Sequence, residues 1–139
     1  MDQLVEFIGN HLALFAALIG VLGLIFIQEK LAQKNKATEI SPQQAVTLMN
    51  QEKAVVIDLR EPLAFKAGHI LQAHNLTSDK LLTRISKYKA HKIILVCAQG
   101  QTAKTQAHLL RQQNFENIYV LAGGMSAWQQ ANLPIIKGN

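Results

Sequence analysis

Short runs of uninterrupted apolar residues punctuate the C-terminal part of the chain: Ala54-Val55-Val56-Ile57, Ile93-Ile94-Leu95-Val96 and Ile118-Tyr119-Val120-Leu121. Runs this short, rich in β-branched residues and without alternation, predict strands covered on both faces, as in a parallel sheet. Between them the spacing turns helical. Ser41-Pro42 reads as an N-cap with Pro at the first helical position, and the helix to about Asn50 puts Ala45, Leu48 and Met49 on one side. Thr102 to about Gln113 carries Ala103, Ala107 and Leu110 in one stripe. Shorter helices are predicted from Glu61-Pro62, with Leu63, Phe65 and Ala67, to a stop at Gly68; from Ser78-Asp79 to about Ile85; and over Met125–Gln130, after a Gly123-Gly124 turn. Ala73–Leu76 reads as a further short strand. Strands alternating with helices predict an α/β fold with a mostly parallel central sheet flanked by helices.

The N-terminal pattern is different. Leu12 to Ile27 are sixteen residues that are all apolar or Gly, and no charge falls between Glu6 and Glu29. Sixteen helical residues span about 24 Å, and adding Phe7 to His11 brings residues 7–28 to the length of a bilayer core. A secretory signal would want a basic start and a small-residue cleavage site. Here Asp2 and Glu6 precede the apolar run and Gln28-Glu29-Lys30-Leu31 follows it. Residues 1–29 are therefore expected to form one N-terminal transmembrane helix, and 30–37 a basic linker that can lie against anionic head groups. Lys30, Lys34 and Lys36 follow the span and no Lys or Arg precedes it. The positive-inside rule then puts the N-terminus outside and residues 38–139 in the cytoplasm.

Residues 38–139 carry eleven Lys/Arg against six Asp/Glu, without a dense basic run or aromatic surface. Nucleic-acid binding is not expected. His74, His91 and His108 show no metal-ligand spacing, and no metal or cofactor is expected. A single cysteine excludes an intrachain disulfide and a Cys-based metal site, in keeping with a reducing compartment.

That cysteine, Cys97, stands where the strand 93–96 meets a loop, Ala98-Gln99-Gly100-Gln101-Thr102, and then a helix. Loop amides and a helix N-terminus favour an anion, hence thiolate over thiol. Nucleophile and small buried hydrophobe are both open readings on this local pattern alone. Asp58 also ends a predicted strand, and ligands of parallel sheets bind outside the carboxyl ends of the strands.

Segments across residues 38–139 resemble a single-domain rhodanese-like sulfurtransferase. Val55–Pro62 looks like the first-strand signature of that family. Gly68-His69-Ile70 followed by Ala73-His74-Asn75-Leu76 is similar to its second block. Cys97-Ala98-Gln99-Gly100-Gln101-Thr102-Ala103 matches its active-site loop, and Gly123-Gly124 to Trp128 with Pro134 its closing signature. The preceding anchor resembles a membrane-bound bacterial subgroup. The resemblance implies a thiosulfate-type sulfurtransferase of the inner membrane. Cys97 would accept a sulfane sulfur as a persulfide from thiosulfate, mercaptopyruvate or a persulfidated protein, and pass it to a thiol or cyanide-like acceptor. Residues 98–102 would bind the substrate, with the Thr102 hydroxyl donating to the persulfide. Asp58 and Arg60 would support the site, Asp58 accepting loop amides and Arg60 meeting a local carboxylate or carbonyl. His69 is expected to hydrogen-bond backbone, and Trp128 to anchor the core.

Ala98 and Gln99 put no cation beside Cys97, so weak thiosulfate activity is expected. Phosphatases on related loops need C-x5-R, an Arg after five intervening residues, to grip phosphate in bidentate fashion; here Ala103 stands there. The other class of function is a non-catalytic interaction or regulatory domain tethered to the membrane.

Overall fold

A computed structural model describes residues 1–34 and 38–138. The chain forms two compact units, Met1–Asn35 and Lys36–Asn139. In the first, α1 (Asp2–Asn10) ends at His11, whose backbone leaves the helical region (φ −118°, ψ 27°). Its ring Nδ1 lies 3.0 Å from the Phe7 carbonyl. α2 (Leu12–Lys34) follows. The apolar segment expected to run unbroken from residue 7 is thus interrupted at His11. α2 alone has 23 residues, about 34 Å, so it does not need Phe7 to His11 to reach bilayer length. Leu12–Ala32 is long and apolar enough to cross a membrane. The expected linker also starts later, because Gln28 to Lys34 contains strong helix formers and neither Gly nor Pro, and α2 runs on through it. Linker residues 35–37 lie outside the described residues.

The second unit is a five-stranded sheet built from β1 (Thr38–Ile40), β2 (Val55–Asp58), β3 (His74–Asn75), β4 (Ile93–Val96) and β5 (Ile118–Leu121). The order is β1-β5-β4-β2-β3 and every pairing is parallel. The helices are α3 (Pro42–Gln51), α4 (Pro62–Ala67), α5 (Ser78–Arg84), α6 (Gln101–Gln112) and α7 (Gly124–Gln130). β1 was not expected: Thr-Glu-Ile is too short and too polar to signal a strand, and it exists because β5 offers an edge. α3 starts as predicted, with a reciprocal cap in which Gln44 N–H donates to Ser41 Oγ and Ser41 N–H to Gln44 Oε1. Thr77 stands at the N-cap position of α5, one residue earlier than predicted, without a side-chain capping bond. On α4 Phe65 is buried, whereas Leu63 is 83% exposed.

Side chains alternate across each strand. Ile57, Ile93, Leu95, Ile118 and Val120 face one layer with Leu81, Ala103, Ala107 and Leu110. Val56, Ile94, Val96 and Leu121 face the other with Ile40, Ala45, Met125 and Trp128. β4 is buried at all four positions, as a central parallel strand must be. The alternation of β4 carries on into the loop, so Cys97 falls on the side of Leu95, Ala103 and Ala107. The alanines bring α6 close to the sheet at that point.

Candidate active site

Cys97 is 5% exposed and lies just past the carboxyl end of β4. Two backbone N–H groups donate to its Sγ, from Gly100 at 3.0 Å and Ala103 at 3.4 Å. Ala103 N–H is one of the first-turn donors of α6 that no helical carbonyl can satisfy. The loop is shorter than predicted, since α6 begins at Gln101 and Gly100 is its N-cap. Gly100 has φ +98°, the left-handed region that disfavours side chains. The result is a sulfur seated over amide dipoles at a helix N-terminus, an arrangement suited to holding an anionic sulfur.

The loop is held from behind by the start of α7. Met125 N–H donates to Cys97 O (2.9 Å) and Ser126 N–H to Ala98 O (3.1 Å). The contact is close because Gly124 has no side chain. A Cβ there would lie 2.1 Å from Cys97 O and 2.8 Å from the Ala98 carbonyl carbon. This supporting role was not assigned from the sequence, although the Gly-Gly pair marked the place.

Asp58 ends β2 in register with Val96, which puts it on the same rim as Cys97. Its carboxylate is buried and fully engaged. Arg60 N–H and Nε donate to Oδ1 at 3.0 Å each, and Arg60 Nη2 to Oδ2 at 2.8 Å. Arg60 Nη2 also donates to Gly68 O at 2.7 Å. The Asn75 amide closes the group from β3, donating to Asp58 O (3.1 Å) and Arg60 O (2.8 Å). Asn75 is a site-supporting residue that sequence reasoning did not single out. Its place in the second block was the available signal.

A cleft of about 590 Å³ opens beside Cys97. Ala98 and Thr102 line it, together with Leu59, Arg60, Glu61, Ala64, Thr77, Ser78 and Asp79. Of the predicted substrate-binding residues, Gly100 acts through its backbone, whereas Gln99 and Gln101 are exposed and lie outside the cleft lining. Their side chains follow the turn outward because the amides of this loop point inward. Glu61, Thr77 and Asp79 were not expected in the site. They reach it because the β2–α4 turn and the N-terminus of α5 stand on the same rim, a matter of sheet order. Lys104 turns away and pairs with Glu39 at 3.0 Å.

His69 is buried outside the cleft. Its Nδ1 lies 2.7 Å from Phe65 O and its ring stacks on Phe65 at 3.7 Å. A carbonyl only accepts, so Nδ1 carries the proton. Trp128 is buried and donates from Nε1 to Pro134 O at 3.0 Å. Among the described residues no cluster of three or more His, Cys, Asp or Glu could hold a metal ion. A larger hollow of about 910 Å³ lies around Lys53, Ala73, His74 and His91 and contains none of the predicted site residues.

A parallel α/β sheet with a lone cysteine cradled by amides at its carboxyl rim defines a class, and comparison with known proteins gives its name. The model of the rhodanese-like domain matches residues 41–131. The chain belongs to the rhodanese-like family. The uncharacterized protein YibN of Escherichia coli K12 is 30% identical over 142 residues, covering 99% of both chains. The thiosulfate sulfurtransferase GlpE of Vibrio cholerae serotype O1 is 34% identical over 92 residues, covering 66% of this chain and 87% of its own. A rhodanese-related protein from Thermoplasma volcanium superimposes with a TM-score of 0.63 at 22% identity, over 71% of this chain and 97% of its own. The family is thus one that includes sulfurtransferases.

Proposed function

We propose that this protein is a membrane-anchored sulfur carrier that moves a sulfane sulfur through a persulfide on Cys97. The observation that carries the proposal is the seat of Sγ, which receives the Gly100 and Ala103 amides at the edge of an open cleft. In the first step the Cys97 thiolate attacks the outer sulfur of a donor. An Sγ–S bond forms, the donor's own bond to that sulfur breaks, and the rest of the donor leaves as sulfite from thiosulfate, as a thiolate from a persulfide, or as pyruvate enolate from mercaptopyruvate, whose C–S bond breaks. In the second step an acceptor thiolate or cyanide attacks the outer sulfur, and Cys97 leaves as thiolate. The first displacement starts from the Cys97 thiolate and the second regenerates it, and the fixed N–H dipoles at Sγ stabilise that charge without reorganisation. The chain has no second cysteine, so the acceptor must be external. The name of the GlpE relative supports the class of activity.

Asp58 and Arg60 act as positioning residues in this scheme, because each is already committed to the other and to backbone. α2 serves as a single-pass anchor in a bacterial inner membrane. The lysines after the span and their absence before it support a cytoplasmic sulfurtransferase domain with the N-terminus outside.

The test is to incubate the full chain in detergent with thiosulfate, with mercaptopyruvate, and with a cysteine desulfurase and cysteine, and then to weigh it intact. The expected result is a gain of one sulfur atom that is absent in Cys97→Ser. No gain with any donor would instead support the tethered, non-catalytic interaction domain.

A further inference from the structure

We infer that the mouth of the Cys97 cleft sorts sulfur donors by charge, favouring a neutral or cationic sulfane-sulfur compound over a dianion, with Glu61 and Asp79 as the selecting residues. The inference deepens the sulfur-carrier reading and rests on it. Glu61 and Asp79 approach the cleft from different elements, the β2–α4 turn and the first turn of α5. Both are exposed at the mouth, whereas Cys97 lies buried behind them. The cationic residue in the lining, Arg60, is neutralised by Asp58 and further tied to Gly68 O. Lys104, the nearest basic residue in sequence beyond the loop, is turned to Glu39. An incoming donor therefore meets two carboxylates in front of a thiolate.

The Thr77 hydroxyl donates to Asp79 Oδ1 and, with a smaller contribution from the neighbouring Lys80, which is outside the cleft lining, holds this carboxyl below the ordinary carboxylate range and charged at neutral pH. The same lining includes the apolar Leu59 and Ala64. That surface suits the carbon frame of a small thiol better than a sulfonate-like head. The amides at Sγ favour negative charge on Cys97 itself, at the bottom of the site. The substrate class that fits is a persulfide, R–S–SH, whose R group is apolar near the sulfur and neutral or cationic beyond it. Its reaction balances without an oxidant. Sγ bonds to the outer sulfur, the S–S bond of the donor breaks, R–S⁻ departs, and the proton stays on the transferred sulfur.

The test uses the full chain in detergent at low salt and persulfides of cysteamine, 2-mercaptoethanol and 3-mercaptopropionate. These share a two-carbon frame and carry a cationic, a neutral and an anionic end. Loading of Cys97 is followed by intact mass, and each rate is divided by that of the same persulfide with a free small thiolate. The cationic donor is expected to load about tenfold faster than the anionic one. Glu61→Gln with Asp79→Asn should bring that ratio near one, as should ~0.5 M salt. Glu61→Lys should raise the rate with thiosulfate about fivefold. An anionic donor as fast as the cationic one, or a ratio unchanged in the double variant, would overturn charge selection while leaving the sulfur carrier intact. Failure of all three donors to load Cys97 would overturn the carrier reading and the inference with it.

Discussion

Gly124→Ala is the sharpest probe of how the nucleophile loop is held. The added methyl would lie 2.1 Å from Cys97 O, 2.8 Å from the Ala98 carbonyl carbon and 2.9 Å from Ala98 O. All three are backbone atoms, so no rotamer change relieves the clash. Either the start of α7 or the loop must move, and the Met125–Cys97 and Ser126–Ala98 hydrogen bonds go with it. Each lost bond costs about 1 kcal/mol, and more where the carbonyl is left buried and unpaired. The left-handed backbone at Gly124 (φ +58°) adds about 1 kcal/mol for any residue with a Cβ. The total is roughly 3–5 kcal/mol, a large share of a typical domain stability of about 5–15 kcal/mol. Gly138→Ala isolates the backbone contribution, because Gly138 also has positive φ (+91°) but open space where its Cβ would sit. Trp128 is the only tryptophan in the chain and lies on α7, so its fluorescence reports unfolding of this unit in the intact protein. With a urea slope of about 1.5 kcal/mol per M, Gly124→Ala should lower the midpoint by about 2–3 M and Gly138→Ala by less than about 1 M. Equal shifts for the two variants would refute the close-contact account. Sulfur loading of Cys97 should also fall in Gly124→Ala at urea concentrations where the protein is still folded.

Asp58→Asn leaves the Arg60 guanidinium facing an amide in a site where the two side chains are 1% and 13% exposed. It should cost about 3 kcal/mol in the same urea assay, whereas Asp58→Asn with Arg60→Gln should recover part of that loss. The pH dependence of stability should show two shallow surface contributions. Asp79 is held below its ordinary value of 3.8 by the Thr77 hydroxyl, so its contribution is full above about pH 4 and is lost as pH falls through the folded-state value. Lys92 is held above its ordinary value of 10.5 by Glu52, so its contribution is full below about pH 10 and is lost as pH rises through the folded-state value. Thr77→Val should remove the acid limb and Glu52→Gln the alkaline one, as read by thermal melting across pH. Topology is testable through the single thiol. A membrane-impermeant maleimide should leave Cys97 unlabelled in intact cells and label it after permeabilisation, and labelling of intact cells would reverse the proposed orientation.

Much of the fold was legible in local pattern. The runs 93–96 and 118–121 read as strands covered on both sides, and Ser41-Pro42-Gln43-Gln44 contains a complete helix start. A break at His11 and a strand at Thr38–Ile40 were not legible. The first depends on one residue leaving helical geometry inside an apolar segment. The second borrows its stability from β5, a partner distant in the chain.

The sequence by itself determined that a lone thiol stands between a buried strand and a helix, because apolar periodicity and glycine placement are short-range signals. It also placed Asp58 at the same kind of strand end. Only the tertiary structure decided which groups surround that thiol. Parallel pairing sets β2 beside β4, and this brings Asp58 and Arg60 to the rim of Cys97. The start of α7 closes behind the loop because Gly124 lets backbone touch backbone. The first turn of α6 contributes the Ala103 amide at Sγ. Glu61 and Asp79 reach the mouth of the cleft by the same route. Such contacts depend on the order and register of the strands, which side-chain periodicity along one segment does not encode.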